Sequence, residues 1–315
     1  NIPSDSKIDD DLYPIYGPII EFYPTIDLSV GTNYFWKVVA RTLDENELTS
    51  SFDNFTPYGM FTTIFPVENS DAPLSNRPMI DSEIVGSRTL TPENSPYWIS
   101  QNPFTNPNTT FKILPGTTLK FFDDVNLTIN GSIDMQGTLE DSIYCLAVNS
   151  SWGGILIDSD SPIDLEISQN GDYISGNRIS STYFESSKTP VLASENIDVY
   201  LENIMIEGFN KGITVGEQSI IKSIIMNNSF EQDSSSNFYG IYGGYIIDNV
   251  VINNSLGDGV LSSNSSKFSE VMISNSNGNG IVGGSQFHNI DVINNSGNGI
   301  ECISTAILSH VNIID

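Results

Sequence analysis

The chain has 315 residues, of which 38% are hydrophobic and only 16% charged, and its net charge is -27. Ordinary globular chains carry about 25% charged residues, so here Asn, Ser and Thr supply most of the polar surface; these side chains compete for backbone hydrogen bonds and suit turns and strands better than helices. The acidity excludes a nucleic-acid partner, which needs positive charge to displace phosphate counterions, and no run approaches the roughly 18 apolar residues of a membrane span, so no membrane insertion is expected.

The first element in chain order is a strand. Residues 28–42 read LSVGTNYFWKVVART, and alternation places Tyr34, Trp36, Val38 and Ala40 on one face. Residues 60–63 read MFTT and put Phe61 and Thr63 in a later strand. Leu28, Gly31 and Tyr34 match a corner in which a Tyr hydroxyl bonds backbone a few residues upstream. The segment therefore resembles the last strands of a fibronectin type III domain, and residues 1–66 are read as part of such a domain with its first strands missing. Residues 67–97 contain Pro73, Pro78, Pro92 and Pro96 and are read as a linker and a cap. Residues 1–30 show no basic segment followed by an apolar run, so no signal peptide is expected.

From residue 98 onward short apolar strands alternate with turns. Residues 110–138 read TFKILPGTTLKFFDDVNLTINGSIDMQGT, and 152–155 read WGGI. Residues 156–196 repeat poorly and are read as one or two turns with outward loops. Beyond them a repeat is plain: FSEVMISNSNGNGI at 268–281 and FHNIDVINNSGNGI at 287–300 are offset by 19 without a gap, and IDNVVINNSLGDGV stands at 247–260, offset by 21. An earlier copy, IKSIIMNN, occupies 221–228.

The shared pattern is apolar, two residues, apolar, one, apolar, one, Asn. The apolar members are Ile221, Ile224 and Met226; Ile247, Val250 and Ile252; Phe268, Val271 and Ile273; and Phe287, Ile290 and Val292. A Gly-x-Gly turn follows, and Ile241, Val260, Ile281 and Ile300 open the next short strand. A period near 20 with no room for a helix means a solenoid of strands. A leucine-rich repeat would place Asn three after its last Leu; here Asn falls two after an Ile, Val or Met. Period-2 parity then predicts that Asn228, Asn254, Asn275 and Asn294 point inward and stack as an amide ladder, spaced about 4.8 Å.

The fold expected is all-β: a parallel β-helix of about nine turns over residues 98–315. The Ile-x-Pro-Gly-Thr turn at 113–117, the Gly-x-Ile strand at 131–133 and the Trp-Gly-Gly-Ile element make this region resemble the pectin-lyase-like right-handed parallel β-helix family. That fold carries many activities. Polygalacturonases of the family carry Gly-His-Gly and Arg-x-Lys motifs, which this sequence lacks. Family pectate lyases set a basic residue beside calcium, and only Lys211, Lys222 and Lys267 follow residue 200, at unmatched positions of the repeat.

Other chemistry-bearing residues read as ordinary surface. Asp123 and Asp124 are adjacent on a strand or turn and point apart. His288 and His310 are the only histidines, and no third metal ligand accompanies them. The acidic run Asp158, Asp160 and Asp164 offers oxygen ligands for Ca²⁺ but lacks the Gly and Glu of an EF-hand loop; no other cofactor is expected. Cys145 and Cys302 lie too many turns apart to pair, and Cys302 is expected to point inward.

Glycosylation sequons stand at Asn54, Asn108, Asn126, Asn130, Asn149, Asn227, Asn253, Asn264 and Asn294. Parity turns Asn227 and Asn253 outward and Asn294 inward. Tyr239, Tyr242 and Tyr245 are a candidate glycan platform. Together these features point to an extracellular structural or adhesive protein, a stalk or filament segment whose partners are other copies or further domains of one surface assembly, and glycans. A polysaccharide lyase or hydrolase, or a non-catalytic carbohydrate-binding β-helix, is the alternative. Val311 and Ile313 begin a further turn, so the chain is expected to continue or to be covered there by the next subunit.

Overall fold

A computed structural model describes residues 33–37, 58–62 and 78–314, apart from 160–162, 170, 231–237 and 303–304. In the first of two units, Asn33–Lys37 pairs antiparallel with Tyr58–Thr62, with Tyr34 opposite Phe61. The remaining positions of the fibronectin type III reading, Leu28, Gly31, Val38, Ala40 and Thr63 among them, lie outside the described residues.

The second unit, Pro78–Asp315, is a parallel β-solenoid of about ten turns. Among the described residues one sheet has ten short strands, from Glu83–Ile84 to Ile300–Glu301, and the other has fourteen. Pairing begins at Met79–Ile80, so most of the region read as linker and cap already belongs to the coil. Strands two or three residues long there carry too short a pattern to be read by periodicity.

The repeat residues fill the interior. Ile247, Val250 and Ile252, Phe268, Val271 and Ile273, and Phe287, Ile290 and Val292 are all buried. Each strand pairs with its copy one turn away, Phe268 on Phe287 and Val271 on Ile290, so like side chains stack at the turn spacing of about 4.8 Å. The Phe268 and Phe287 rings lie 5.0 Å apart and parallel. Farther along, Trp152 of the Trp-Gly-Gly-Ile element stacks on Phe121 at 3.8 Å and on Phe184 at 6.2 Å, and its indole N–H donates to the Glu185 carbonyl.

The gap of two residues between the first and second apolar members has a physical cause. Ser223, Asn249, Glu270, Asn289 and His310 occupy that gap with φ between 52° and 55°. One left-handed residue bends the strand and resets its parity, so the third residue on, not the second, points inward.

The same device corrects the Asn ladder. Asn228, Asn254, Asn275 and Asn294 have φ of 58°, 59°, 57° and 52° and are exposed. Each is a second corner, and Asn tolerates left-handed backbone better than most residues. Parity resets there too: after Ile252, the next inward residue is Ser255, and Ser276 is its buried copy. The amides do meet, but outside. Asn254 donates to Asn228 at 2.9 Å, Asn228 to the Glu207 carboxylate at 2.6 Å, and Asn275 to Asn253 at 3.0 Å.

The Gly-x-Gly turn is required by close approach. A Cβ on Gly280 would stand 2.3 Å from Val292 and 2.5 Å from the Gly299 carbonyl. Positive φ belongs instead to the Gly-Gly pair that ends the short strand, with Gly283 at 95° and Gly284 at 89°.

Candidate functional site

Two outward faces of the solenoid carry side chains that the repeat does not explain. On the first, one outward column runs through six consecutive turns. Tyr144 pairs with Tyr183, Tyr183 with Met205, Met205 with Ile225, Ile225 with Val251, and Val251 with Met272. Tyr144, Met205, Ile225 and Met272 are 43%, 43%, 41% and 39% exposed. The column forms an apolar stripe about 24 Å long at the turn spacing. Beside it runs Glu185, Glu207, Asn227, Asn253 and Ser274. At the next two turns the apolar column gives way to Asp291 and Asn312. The sequence carries the signal as unbroken apolar triplets, Ile224–Met226, Val250–Ile252 and Val271–Ile273, where the following turn has Ile290, Asp291, Val292.

The second face lies across the corner marked by Glu270, Asn289 and His310. Its two outward columns read Tyr200, Ile220, Ile246, Lys267, Gln286, Ile307 and Glu202, Lys222, Asp248, Ser269, His288, Ser309. The poorly repeating region puts a small hairpin here, Glu166–Ile167 against Tyr173–Ser175. Tyr173 packs on Tyr200 at 5.6 Å, and Lys222 donates to the Gly171 carbonyl at 2.7 Å. The hairpin thus covers the first part of the face, where Tyr200 and Ile220 are buried. Burial, with Glu202 and Asp172 nearby, pushes the Tyr200 phenol up to about 12. Under the hairpin, Asp134 accepts from Arg178 at 3.1 Å and lies 3.7 Å from Lys112, while Arg178 stacks on Tyr173 at 4.3 Å.

Beyond the hairpin the face is open. There a groove of about 440 Å³ is lined by Ile246, Asp248, Lys267, Gln286, His288 and Ser309, among others. Lys267 lies over the Tyr245 ring at 5.0 Å, and the His288 ring meets His310 edge-on at 5.6 Å.

The other sequence-derived candidates scatter. Asp123 and Asp124 are exposed; the first accepts from the Ser150 N–H, and the second pairs with Lys188 at 2.8 Å. Asp158 accepts from Ser194, while Asp160 lies outside the described residues. Among the described residues no group of three His, Cys, Asp or Glu converges on a metal position. Cys145 is wholly buried, which pushes its thiol far up, and Cys302 is partly buried against the core; neither forms a disulfide. The three tyrosines do not make one platform. Tyr239 and Tyr242 sit 5.4 Å apart on the short-strand sheet, with Thr214 bonded to Tyr239, whereas Tyr245 stands beside the groove.

Of the sequons, Asn108, Asn149 and Asn264 are exposed, and Asn126, Asn130, Asn227 and Asn253 are half-buried. Asn54 lies outside the described residues. Asn294 is exposed, which corrects its inward reading, because it sits at the left-handed corner rather than within the strand.

Compared with known proteins, the chain matches no family model, no curated protein and no solved structure. The parallel solenoid therefore stands on its own geometry, and the narrower pectin-lyase-like and fibronectin resemblances have no support beyond the motifs that suggested them.

Proposed function

We propose that the chain is a structural and adhesive segment of an extracellular assembly, a β-solenoid rod that lies side-on against another copy or a further domain of that assembly. The observation that carries this reading is the apolar stripe from Tyr144 to Met272. Contiguous exposed apolar surface of this extent marks a contact surface more often than bare solvent-facing surface. On one flank Asn227, Asn253 and Ser274 lie beside Ile225, Val251 and Met272, while Glu207 lies beside Met205. Along that uncharged stretch a second acidic chain meets fewer like charges than beside Glu185 and Glu207.

Sedimentation of the full chain up to millimolar concentration tests the reading. Association that is lost in an Ile225→Glu, Met272→Glu double variant is the expected result. A monomer under every condition, or association that the double variant leaves intact, overturns it.

A further inference from the structure

We propose that the apolar stripe is covered by a second copy of this chain, packed face to face with the two rods running in opposite directions. This inference rests on the lateral-contact reading above and adds the partner, the direction and the register.

The stripe column is complementary to its own reverse. At one end stand the phenols Tyr144 and Tyr183. At the other end, in the two turns beyond Met272, stand Asp291 and Asn312. Between them lie the apolar Met205, Ile225, Val251 and Met272. Set against a reversed copy about a centre between Ile225 and Val251, the column matches at every turn. Ile225 falls opposite Val251 of the second copy, Met205 opposite Met272, Tyr183 opposite Asp291 and Tyr144 opposite Asn312. A phenol donates, and a carboxylate or amide oxygen accepts. Within one chain the Asn312 amide already donates to Asp291 at 3.1 Å. The Asn312 oxygen and the other lone pairs of Asp291 are left to accept from the two tyrosines. The operation is a two-fold axis along the strand direction, so one patch serves both copies.

The flanking columns follow the same axis. Leu146 meets Ile314 of the second copy, Glu207 meets Ser274, and Asn227 meets Asn253. At the corner, Glu270 meets Asn203. Glu185 meets Ile293 at the outer edge of the contact, where its carboxylate stays in water. In these columns no carboxylate faces another.

The parallel direction fits worse. It sets each stripe residue on its own copy, so Asp291 meets Asp291 and like charges repel. Eight turns about 4.8 Å apart and three columns about 7 Å apart give a contact on the order of 700 Å² per copy, within the range of specific interfaces. The net charge of -27 on each chain opposes pairing at long range, and salt screens that repulsion.

Disulfide trapping on the full chain, in a Cys302→Ser background, reads the direction, alongside sedimentation at about 0.5 M salt. The other native cysteine, Cys145, is wholly buried. Met205→Cys and Met272→Cys are prepared separately. Mixed, they should form a disulfide between the two variants. Each alone should form none, because like positions lie three turns, about 14 Å, apart. Tyr183→Phe and Asp291→Asn, both outward and conservative, should each weaken self-association at least about tenfold, and the double variant little more than either alone. A disulfide within either cysteine variant alone, or association with no disulfide in the mixture, overturns the antiparallel pairing while the lateral contact stands. Association that Asp291→Asn strengthens or leaves unchanged does the same. A chain that sediments as a monomer overturns both.

Discussion

Asn254 shows what one residue decides in a solenoid. Its φ of 59° puts it in the left-handed region, where a Cβ crowds the following carbonyl. Asn can adopt this conformation, and its amide then bonds Asn228 one turn away. Asn254→Gly should therefore cost little, since glycine adopts the same backbone freely. Asn254→Val should cost about 1–2 kcal/mol through backbone strain alone. Urea denaturation of the two variants checks this. Equal destabilisation by Gly and Val would mean that the external amide bond, not the corner, is what the position requires.

The inserted hairpin is the element that most changes its surroundings. By packing Tyr173 on Tyr200 and anchoring Gly171 to Lys222, it turns an outward tyrosine into a buried one. The Tyr200 phenol is raised from 10.0 to about 12, first by burial, then by Glu202 and Asp172. A raised acid keeps its proton longer in the folded state than in the unfolded one. Tyr200 therefore contributes stability that is fully present below the unfolded value and is lost as pH rises from about 10 towards about 12. Thermal melts across that alkaline window should show stability falling, and Tyr200→Phe should flatten the fall. A variant that declines as steeply as the parent would place the alkaline loss elsewhere.

At the scale of the whole solenoid, each strand pairs only with the turns on either side, while the hairpin's Gly171 reaches farther, to Lys222. Stability is then a sum of single-turn and neighbour terms. The middle turns stack strands of eight to eleven residues, such as Asn177–Ser187 on Val199–Phe209, while the first turns have strands of two or three residues. Hydrogen exchange should therefore be slowest from 177 to 229 and faster at Met79–Ile80 and Glu83–Ile84. Uniform protection from the first turn to the middle would show that the solenoid opens as one unit.

The sequence by itself determined the architecture. The spacing of Phe268, Val271 and Ile273, repeated 19 residues later, carries the turn length, the inward face and the neighbour of each strand within that repeat, because a stacked fold must return like residues to like positions. It also contained the corners, as a gap of two residues after each first apolar member. Period-2 parity misses the second corner, since a single left-handed φ flips the side-chain direction without changing composition, and so Asn228, Asn254, Asn275 and Asn294 read as inward. Only the tertiary structure decided what the outer faces do. Outward side chains need not repeat, so Asp248, Lys267 and Gln286 carry no pattern, and their grouping depends on which residues lie across the turns. The hairpin that covers the neighbouring part of that face comes from residues 166–175, far away in the chain and without a repeat of their own. A repeat fixes what must stack; what faces solvent is set by three-dimensional neighbours that no local pattern records.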